Sequence, residues 1–553
     1  MLGLIFLPLV MSRAAEVPAT ERPALVVVIS IDQFRADYLT RFRPHFGTEG
    51  FNRLLDGGAE FSNCYYRHTH TKTACGHSVM LTGVHADVNG IIANDWIDRN
   101  TFESISCVGD DREKTLGLPA TVGGAALPGK LNEAVRGRSP RNLLAPTVGD
   151  LWKARQPGAK VIGVSNKDRS AILMTGLRAD AAYFVEKGRV VSSTYYFQEL
   201  PAWVEAWNRA GKIDAYFGRQ WERILPVEAY AIQGPDDAPG EDVKTAQLGN
   251  TLPKNISGGA TTPSERFYEA FRQTPLANEV LADFARTTIE AEQLGQRDGI
   301  TDIFCLSFST QDYIGHLYGP DSHEVMDNVV RMDRVLADFF RYLDTQIGRG
   351  RYTVVLTADH GVAPMPERVA LDRPGVPAGR SFGPKTAAAA EAALNLAYGA
   401  LADGSRWLVR DDSSFIIYPA ALKEKKLSAE AVQQTIRDAL LKVDVVEAAY
   451  TRAQLERGDV AGEFGRMALK SFNRERSGDV YFQTKPYFFN KETGSTHGTP
   501  YDYDTHVPLL WYGVGVKPGV RTEKVGVDDL APTLAHLLGL PALPKSESKA
   551  LFE

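Results

Sequence analysis

Five short apolar runs rich in β-branched residues are spaced along the chain, and each has the length of a strand that is buried on both faces. They cover residues 25–31, 160–165, 302–309, 352–357 and 507–512. The segments between them are long enough for helical crossovers between parallel strands. The pattern therefore predicts an α/β fold with a doubly wound, mostly parallel sheet. Ligands of such sheets bind beyond the carboxyl ends of the strands, so we expect the functional residues there.

Two long stretches interrupt this pattern and are predicted to be inserted cap segments. Residues from about 195 to 264 are rich in Trp, Tyr, Pro and Gly and show little strand or helix periodicity. A second insertion is predicted from about 366 to 493. Within it, residues 428–443 have the spacing of an amphipathic helix and residues 445–451 that of a strand, which is consistent with a small α+β lobe.

The beginning of the chain has the pattern of a targeting segment. Residues 2–11 are apolar and are followed by small residues up to position 15. This pattern predicts a signal peptide over residues 1–15 and a periplasmic or secreted protein. The alternative is an N-terminal segment buried in the fold. The apolar stretch is too short to span a bilayer, and no other window of the sequence resembles a transmembrane span.

Composition and charge narrow the class of protein. The chain has 553 residues, of which 44% are apolar and 24% charged, as in an ordinary globular protein with a large core. Its formal net charge is −6 and it has no long basic run, which disfavours nucleic acid as the main partner. An anionic substrate must therefore be attracted locally, by metals or a few placed cations. The sequence leaves the oligomeric state open.

The four cysteines do not define a function. They are too few and too irregularly spaced for a zinc ribbon or a disulfide framework: Cys64, Cys75, Cys107 and Cys305. Cys305 lies in an apolar run and is predicted to be part of the core. The sequence leaves open whether Cys64 and Cys107 form a single disulfide bridge.

Charged or metal-ligating side chains follow the predicted strands. Six of them have the nitrogen and carboxylate chemistry that hydrolytic zinc prefers: Asp32, Asp312, His316, Asp359, His360 and His497. Taken singly, each has an alternative role as a helix cap, a turn residue or a hydrogen-bonded core histidine. Carboxylates gathered at one sheet edge would repel one another unless cations joined them. The set therefore predicts a site for two Zn²⁺ ions.

Thr73 is the candidate nucleophile. It precedes a short apolar stretch with helical character, and the N-terminus of a helix favours an anion through its free backbone N–H groups. The alternative role for Thr73 is a helix cap. Cys75 is a rival nucleophile, since sulfatases modify a cysteine that is followed by Pro or Ala two residues on and Arg four residues on. Here those positions are His77 and Val79, which argues against a sulfatase.

Three further residues are candidates for binding a phosphoryl group. Asn94 can donate its amide to a phosphoryl oxygen, and Lys167 with Arg169 can supply two cations at the end of the second predicted strand. These donors suit a monoester, whose terminal phosphoryl group carries two negative charges. The alternative role for each of them is a solvated loop position.

Seven motifs occur in order between about residues 25 and 540: D-Q-x-R-x-D-Y, T-A-x-G-H, N-D-W, K-D-R, D-x-x-x-H, A-D-H-G and T-H-G. With them the chain resembles the type I phosphodiesterase and nucleotide pyrophosphatase branch of the alkaline phosphatase superfamily. Within that branch it is most similar to the bacterial periplasmic alkaline phosphatases with a threonine nucleophile. The resemblance implies an alkaline phosphatase-like catalytic domain over residues 22–545, and residues 525–541 look like the family's closing helix.

The resemblance also implies roles for the candidate residues. One zinc would be held by Asp312, His316 and His497, and the other by Asp32, Asp359, His360 and the Thr73 hydroxyl. Thr73 would form a phosphothreonine intermediate, and Asn94 would bind a phosphoryl oxygen. Lys167 and Arg169 mark the phosphomonoesterase side of the branch, since diesterase members generally lack that pair. The expected activity is zinc-dependent hydrolysis of small phosphate monoesters with release of inorganic phosphate.

Two other functions remain open from the sequence. A phosphodiesterase or nucleotide pyrophosphatase would share the metal ligands and differ around Lys167 and Arg169. A catalytically silent metal-binding or adhesion protein of the same fold would not need an intact Thr73. Substrate preference does not follow from the resemblance, because the long insertions are the parts of the family that vary.

Overall fold

The computed structural model describes residues 22–119, 136–245, 247–380 and 382–552. The predicted signal peptide over residues 1–15 lies outside these residues. Within the described ranges, none of the helices is both long and apolar enough to cross a membrane.

A central sheet of eleven strands organises the described residues. In spatial order its strands are Gly519–Arg521, Ala59–Phe61, Leu509–Gly513, Tyr352–Thr357, Leu25–Ile31, Asp302–Phe308, Val161–Ser165, Ala181–Glu186, Arg189–Ser193, Gly109–Leu116 and Arg136–Arg138. The five strands from Tyr352–Thr357 to Ala181–Glu186 are parallel to one another. This confirms the predicted α/β fold with a large, mostly parallel sheet.

The strand predicted over residues 507–512 exists as Leu509–Gly513, but it runs antiparallel to Tyr352–Thr357, with Leu509 opposite Thr357. Its prediction as a parallel strand was wrong. A buried apolar run shows that a strand is covered on both faces, not which way it points. This strand starts beside the carboxyl end of its neighbour, so it must run away from that edge.

Helices cover the sheet and supply most of the apolar partners of its strands. The helix His323–Leu343 shows the pattern: Val325, Val329, Met332 and Leu336 recur at three- and four-residue spacing and are all buried. The other α-helices outside the second insertion are Tyr38–Arg41, Phe51–Gly57, Thr73–Thr82, Ala86–Asn89, Val148–Arg155, Asp168–Thr175, Ala202–Arg209, Glu265–Phe271, Leu276–Ala291, Thr310–Tyr318, Asp502–Thr505 and Leu530–Leu537. Short paired strands complete this part: Cys64–Tyr65 with Val525–Gly526, and Asp95–Ile97 with Ser104–Ser106.

The first predicted insertion contains more regular structure than its sequence pattern indicated. It holds the amphipathic helix Ala202–Arg209, which buries Val204 and Trp207, and the paired strands Gln220–Trp221 and Lys254–Asn255. Trp221 is fully buried and donates its indole N–H to Asp327, 2.7 Å away. This bond ties the segment to the long helix His323–Leu343.

The second predicted insertion contains a separate four-stranded sheet. We call this sheet and the helices packed with it the lobe. The strands are Leu408–Asp411, Ser414–Ile417, Val480–Thr484 and Val446–Thr451 in spatial order. The lobe helices are Gly383–Tyr398, Pro419–Lys425, Ala429–Leu440, Arg452–Arg457 and Gly462–Ser471. Before the lobe sheet come the helix Pro366–Asp372 and the strand Gly379–Arg380, which pairs with Phe488–Phe489. The lobe has its own apolar core, which includes Trp407, Phe415 and Phe482.

All four cysteines are buried and free, so Cys64 and Cys107 form no bridge in the structure. Cys305 lies in the central strand Asp302–Phe308, as its apolar surroundings predict.

Candidate active site

The parallel strands deliver acidic side chains to one edge of the sheet. Ile31 pairs with Phe308, and Ser30 pairs with Thr357, so the three strands end at the same level. Asp32 and Asp359 follow two of these strands closely, and Asp312 lies in the first turn of the helix Thr310–Tyr318 that follows the third. The edge therefore carries three carboxylates, all of them buried.

A first group of possible metal ligands consists of Asp32, Asp359 and His360, whose ligand atoms lie within 4.8 Å of one another. His360 Nε2 is 3.5 Å from Asp32 Oδ1 and 3.4 Å from Asp359 Oδ2. All three residues are completely buried. These three facing atoms have no hydrogen-bond partner among the described residues. Buried polar atoms normally have partners, so this arrangement fits a cation between them.

A second group consists of Asp312, His360 and His497, again within 4.8 Å. His497 Nε2 lies 3.5 Å from Asp312 Oδ1, and His316 Nε2 lies 3.2 Å from the same oxygen. Asp312 and His316 contact each other because they are four residues apart on one helix, as their spacing predicts. His360 belongs to both compact groups, whereas the sequence assigned it to one.

The histidine rings are oriented by backbone carbonyls. His360 Nδ1 lies 2.9 Å from the carbonyl of Gly361, and His497 Nδ1 lies 2.7 Å from that of Thr71. His316 Nδ1 is 2.8 Å from the carbonyl of Ser495. A carbonyl oxygen can only accept, so each Nδ1 carries the proton and donates it. Burial lowers the pKa of His360 and of His497, so these two rings are neutral and their Nε2 lone pairs face carboxylate oxygens, which is the orientation of metal-ligating histidines.

Burial and mutual repulsion shape the protonation of these groups. Burial, and next the charge of Asp359, raises the pKa of Asp32 well above its usual value. Burial raises the pKa of Asp359 to about 7 and lowers that of His497 to about 4. Burial, and next His497, also lowers the pKa of His360. Burial acts against ionisation of Asp312 too, but His316 and Lys167 hold its pKa well below the usual range.

Lys167 lies among the carboxylates rather than in an open anion pocket. Its Nζ donates to Asp32 Oδ2 at 2.7 Å and to Asp312 Oδ2 at 2.6 Å. It is also 3.4 Å from Thr73 Oγ1. Burial acts to lower the pKa of Lys167, but Asp312 and Asp32 raise it above its ordinary value, so the side chain is cationic. The ammonium group therefore links the acidic edge to the candidate nucleophile.

Thr73 is the first residue of the helix Thr73–Thr82, and the preceding Lys72 is the N-cap. The alternative role of Thr73 as the cap is therefore wrong. The helix approaches the acidic edge through Gly76, where an added Cβ would lie 2.2 Å from the carbonyl oxygen of Asp359. Only glycine allows this approach, which carries the Thr73 hydroxyl to the edge.

Asn94 and Arg169 flank the nucleophile helix in different ways. Asn94 Oδ1 accepts from the backbone N–H of Ala74 at 2.8 Å, so the donor groups of this side chain are those of its amide nitrogen. Arg169 is a partly exposed neighbour of Asp168, at 3.6 Å, and its Nε has no hydrogen-bond partner in the described ranges. Both therefore retain donors that an anion can use.

Two residues of the site were missed from the sequence. Gln33 bridges two carboxylates: its backbone N–H donates to Asp359 Oδ1 at 3.0 Å and its side-chain amide donates to Asp312 Oδ1 at 2.7 Å. His77 lies 2.9 Å from Ser307 Oγ, and its Nδ1 is 2.8 Å from the Thr73 carbonyl and 3.3 Å from Asp359 Oδ2. The available signals were the position of Gln33 directly after Asp32 and the four-residue spacing of Thr73 and His77.

One family model and several known proteins match this chain over most of its length. Residues 26–506 match the family model of type I phosphodiesterase / nucleotide pyrophosphatase. The chain is 35% identical over 537 residues to the alkaline phosphatase PhoV of Synechococcus elongatus, covering 96% of this chain and 93% of that protein. It is 31% identical to the alkaline phosphatase PafA of Elizabethkingia meningoseptica, covering 95% and 93%. A protein of Myroides odoratus named calcium-transporting ATPase is 34% identical, covering 94% and 92%.

Solved structures of PafA match over almost the whole chain. The wild-type crystal structure superposes with a TM-score of 0.87 at 29% identity and covers 97% of this chain and 99% of that one. A variant of PafA, in which a threonine, an asparagine, a lysine and an arginine are replaced together, matches with a TM-score of 0.86.

Proposed function

We propose that this chain, which belongs to the type I phosphodiesterase / nucleotide pyrophosphatase family and is an alkaline phosphatase, hydrolyses phosphate monoesters through a phosphothreonine at Thr73 and two zinc ions. The observation that carries the proposal is the convergence of acceptor atoms. The Nε2 lone pairs of His360 and His497 point at carboxylate oxygens, and Asp32 and Asp359 each have one oxygen without a hydrogen-bond partner in the described part of the chain. Buried acceptors that face one another repel, and cations between them relieve that repulsion.

The residues present fit a two-zinc site. Imidazole nitrogen and carboxylate oxygen are the ligands of hydrolytic zinc, and each of the two compact groups contains both types. We propose that Asp312, His316 and His497 hold one ion and that Asp32, Asp359, His360 and Thr73 hold the other. When bound, the two ions would supply the positive charge that a phosphoryl-transfer site needs and would lower the pKa of the Thr73 hydroxyl.

The remaining residues have separate tasks in this proposal. Thr73 Oγ1 attacks phosphorus, the new Thr73 O–P bond forms, and the bond from phosphorus to the leaving alcohol breaks. Water then attacks the phosphothreonine, which restores the hydroxyl and releases phosphate. Asn94 and Arg169 donate to the phosphoryl oxygens, and Lys167 keeps a positive charge 3.4 Å from Thr73 Oγ1. Catalysis is thus mainly positioning and charge stabilisation.

The PafA variant supports the choice of these four residues. The replaced threonine and asparagine lie as far apart in PafA as Thr73 and Asn94 do here, and the replaced lysine and arginine lie two positions apart, as Lys167 and Arg169 do. We extend the roles to this chain on that basis. The second candidate, a phosphodiesterase or nucleotide pyrophosphatase, is favoured by the description of the family model and uses the same metal ligands.

One experiment separates the two candidates. We would measure kcat/KM for para-nitrophenyl phosphate and for its bis ester with zinc-loaded protein, on wild type and on the Lys167→Ala, Arg169→Ala double variant. A monoester preference that collapses in the variant is expected. A diester preference that is indifferent to the variant would assign the chain to the phosphodiesterases.

We also propose that the protein is exported, on the pattern of residues 1–15. Sequencing of the mature N-terminus from a periplasmic fraction tests this: an intact Met1 in that fraction would contradict cleavage.

A further inference from the structure

The nucleophile segment, residues 69–73, is the stretch of chain that leads into the helix Thr73–Thr82. Its first residue is bound to the lobe. The backbone N–H and the hydroxyl of Thr69 both donate to Ser471 Oγ at 2.9 Å, and all of these groups are buried. Ser471 is the last residue of the lobe helix Gly462–Ser471. The lobe therefore fixes the start of the segment through one side chain.

The other end of the segment is bound to the lobe by an ion pair. Lys72 Nζ donates to Asp412 Oδ2 at 2.6 Å. Asp412 lies in the two-residue turn between the lobe strands Leu408–Asp411 and Ser414–Ile417, where its φ is +51°. Among residues with a side chain, Asn and Asp adopt this left-handed conformation most readily, so an Asp suits the turn at the point of contact. Lys72 is the residue immediately before the nucleophile, and its side chain makes no capping bond with its own helix.

The same segment also holds a proposed metal ligand. The carbonyl of Thr71 accepts from His497 Nδ1 at 2.7 Å, and the Thr71 hydroxyl donates to the carbonyl of Thr499 at 2.9 Å. A shift of the segment would therefore move the hydroxyl of Thr73 and the ring of His497 together. The two lobe contacts lie on either side of Thr71.

We propose that the lobe positions the nucleophile: Asp412, acting through Lys72, and Ser471, acting through Thr69, fix the backbone that carries Thr73 and orients His497. Asp412 and Ser471 are positioning residues that need not touch substrate. This inference rests on the proposed function for the roles of Thr73 and His497. Phosphoryl transfer requires the attacking oxygen in line with the leaving group, and misplacement by about 1 Å can reduce the rate about 100-fold.

The test uses a substitution that removes the charge and keeps the turn. Asn tolerates positive φ as Asp does, so Asp412→Asn breaks the ion pair without straining the hairpin. We expect kcat for para-nitrophenyl phosphate to fall roughly 10-fold with KM changed less than about twofold, since positioning acts on the transition state rather than on substrate binding. Lys72→Met should have the same effect, and the double variant should be no worse than either single variant.

A matched control breaks a different lobe ion pair. Glu456→Gln removes the negative charge that pairs with Arg452, whose Nε lies 3.0 Å from the Glu456 carboxylate, on the helix Arg452–Arg457. This helix forms neither of the two lobe contacts described above. Its kcat should equal that of wild type. Wild-type kcat in Asp412→Asn, an equal loss in Glu456→Gln, or additive losses in the double variant would each overturn the proposal.

A second measurement does not depend on turnover. Hydrogen exchange of the backbone amides in a peptide spanning residues 69–76 should be faster in Asp412→Asn and in Ser471→Ala than in wild type and Glu456→Gln. Unchanged exchange would overturn the proposal that the lobe positions the nucleophile segment, even in a protein without monoesterase activity. If wild type fails to hydrolyse the monoester but exchange changes as expected, the proposed function is wrong and the positioning of the nucleophile segment by the lobe is supported.

Discussion

The imidazole rings of His360 and His497 stack with their centroids 3.5 Å apart and their planes inclined by 13°. Each ring donates its Nδ1 proton to a backbone carbonyl, so both Nε2 lone pairs lie on the side of the carboxylates. His360 contributes to both compact ligand groups. The two compact ligand groups are therefore adjacent and have His360 in common.

Because His360 belongs to both compact groups, we expect its substitution to reduce the metal content more than the substitution of His316 does. His360→Ala should reduce bound zinc from about two ions per chain to less than about one, whereas His316→Ala should retain about one or more, since His316 lies outside both compact groups. Metal analysis after dialysis measures the difference. His506→Ala is the control, because His506 Nε2 bonds to the carbonyl of Ser62 and His506 belongs to neither compact group. Near-normal zinc in His360→Ala would count against the site.

Removal of the nucleophilic hydroxyl should abolish the covalent step. Thr73→Ala should lower kcat by at least about 10³-fold, while Thr73→Ser keeps an attacking oxygen and should retain activity within roughly 10-fold of wild type. Acid quenching with a ³²P-labelled monoester should leave label on wild type and on the serine variant. Label that survives on Thr73→Ala would show that another residue is the nucleophile.

The approach of the nucleophile helix to the sheet edge depends on Gly76. In Gly76→Ala the new Cβ would lie 2.2 Å from the Asp359 carbonyl oxygen, so the helix must shift away from the edge. We expect a loss of about 2–4 kcal/mol in the free energy of unfolding and a fall in kcat, since overpacking displaces backbone. Urea unfolding and steady-state kinetics measure both. Gly47→Ala, where the nearest atom is 3.6 Å away, should change neither.

A buried carboxylate in the first insertion predicts a pH dependence of stability. Burial, and next the charge of Glu324, raises the pKa of Glu241 to about 9, and neither carboxylate oxygen of Glu241 has a hydrogen-bond partner in the described ranges. The folded state then binds more protons than the unfolded state between about pH 4.5 and 9, so stability should fall as pH rises through this window.

The substitution Glu241→Gln isolates this effect. The amide cannot ionise, so the variant should gain roughly 1–3 kcal/mol over wild type at pH 8 and little at pH 5. Urea unfolding at the two pH values is the measurement. Glu103→Gln, at an exposed position, should behave as wild type at both. An identical pH profile for wild type and Glu241→Gln would show that Glu241 ionises freely in the folded protein.

Much of the fold could be predicted because strands are encoded locally. The runs at 25–31 and 352–357 have the bounds that the structure gives, since short continuous runs rich in β-branched residues favour strands that are buried on both faces. The helix predicted at 428–443 exists as Ala429–Leu440. The helix Ala202–Arg209 was missed, because the surrounding Trp, Tyr, Pro and Gly obscured a short amphipathic period.

For the candidate site, the sequence by itself determined four of the residues at the sheet edge. Asp32 and Asp359 follow strands closely, and Asp312 and His316 share a helix face, so local spacing is sufficient to bring them there. Only the tertiary structure decided the rest: the sharing of His360, the position of Lys167 between Asp32 and Asp312, the bridging by Gln33 and the contact of Asp412 with Lys72. These contacts join residues that are far apart in the chain. Their geometry depends on how the elements pack, which no local pattern of hydrophobic and polar residues encodes.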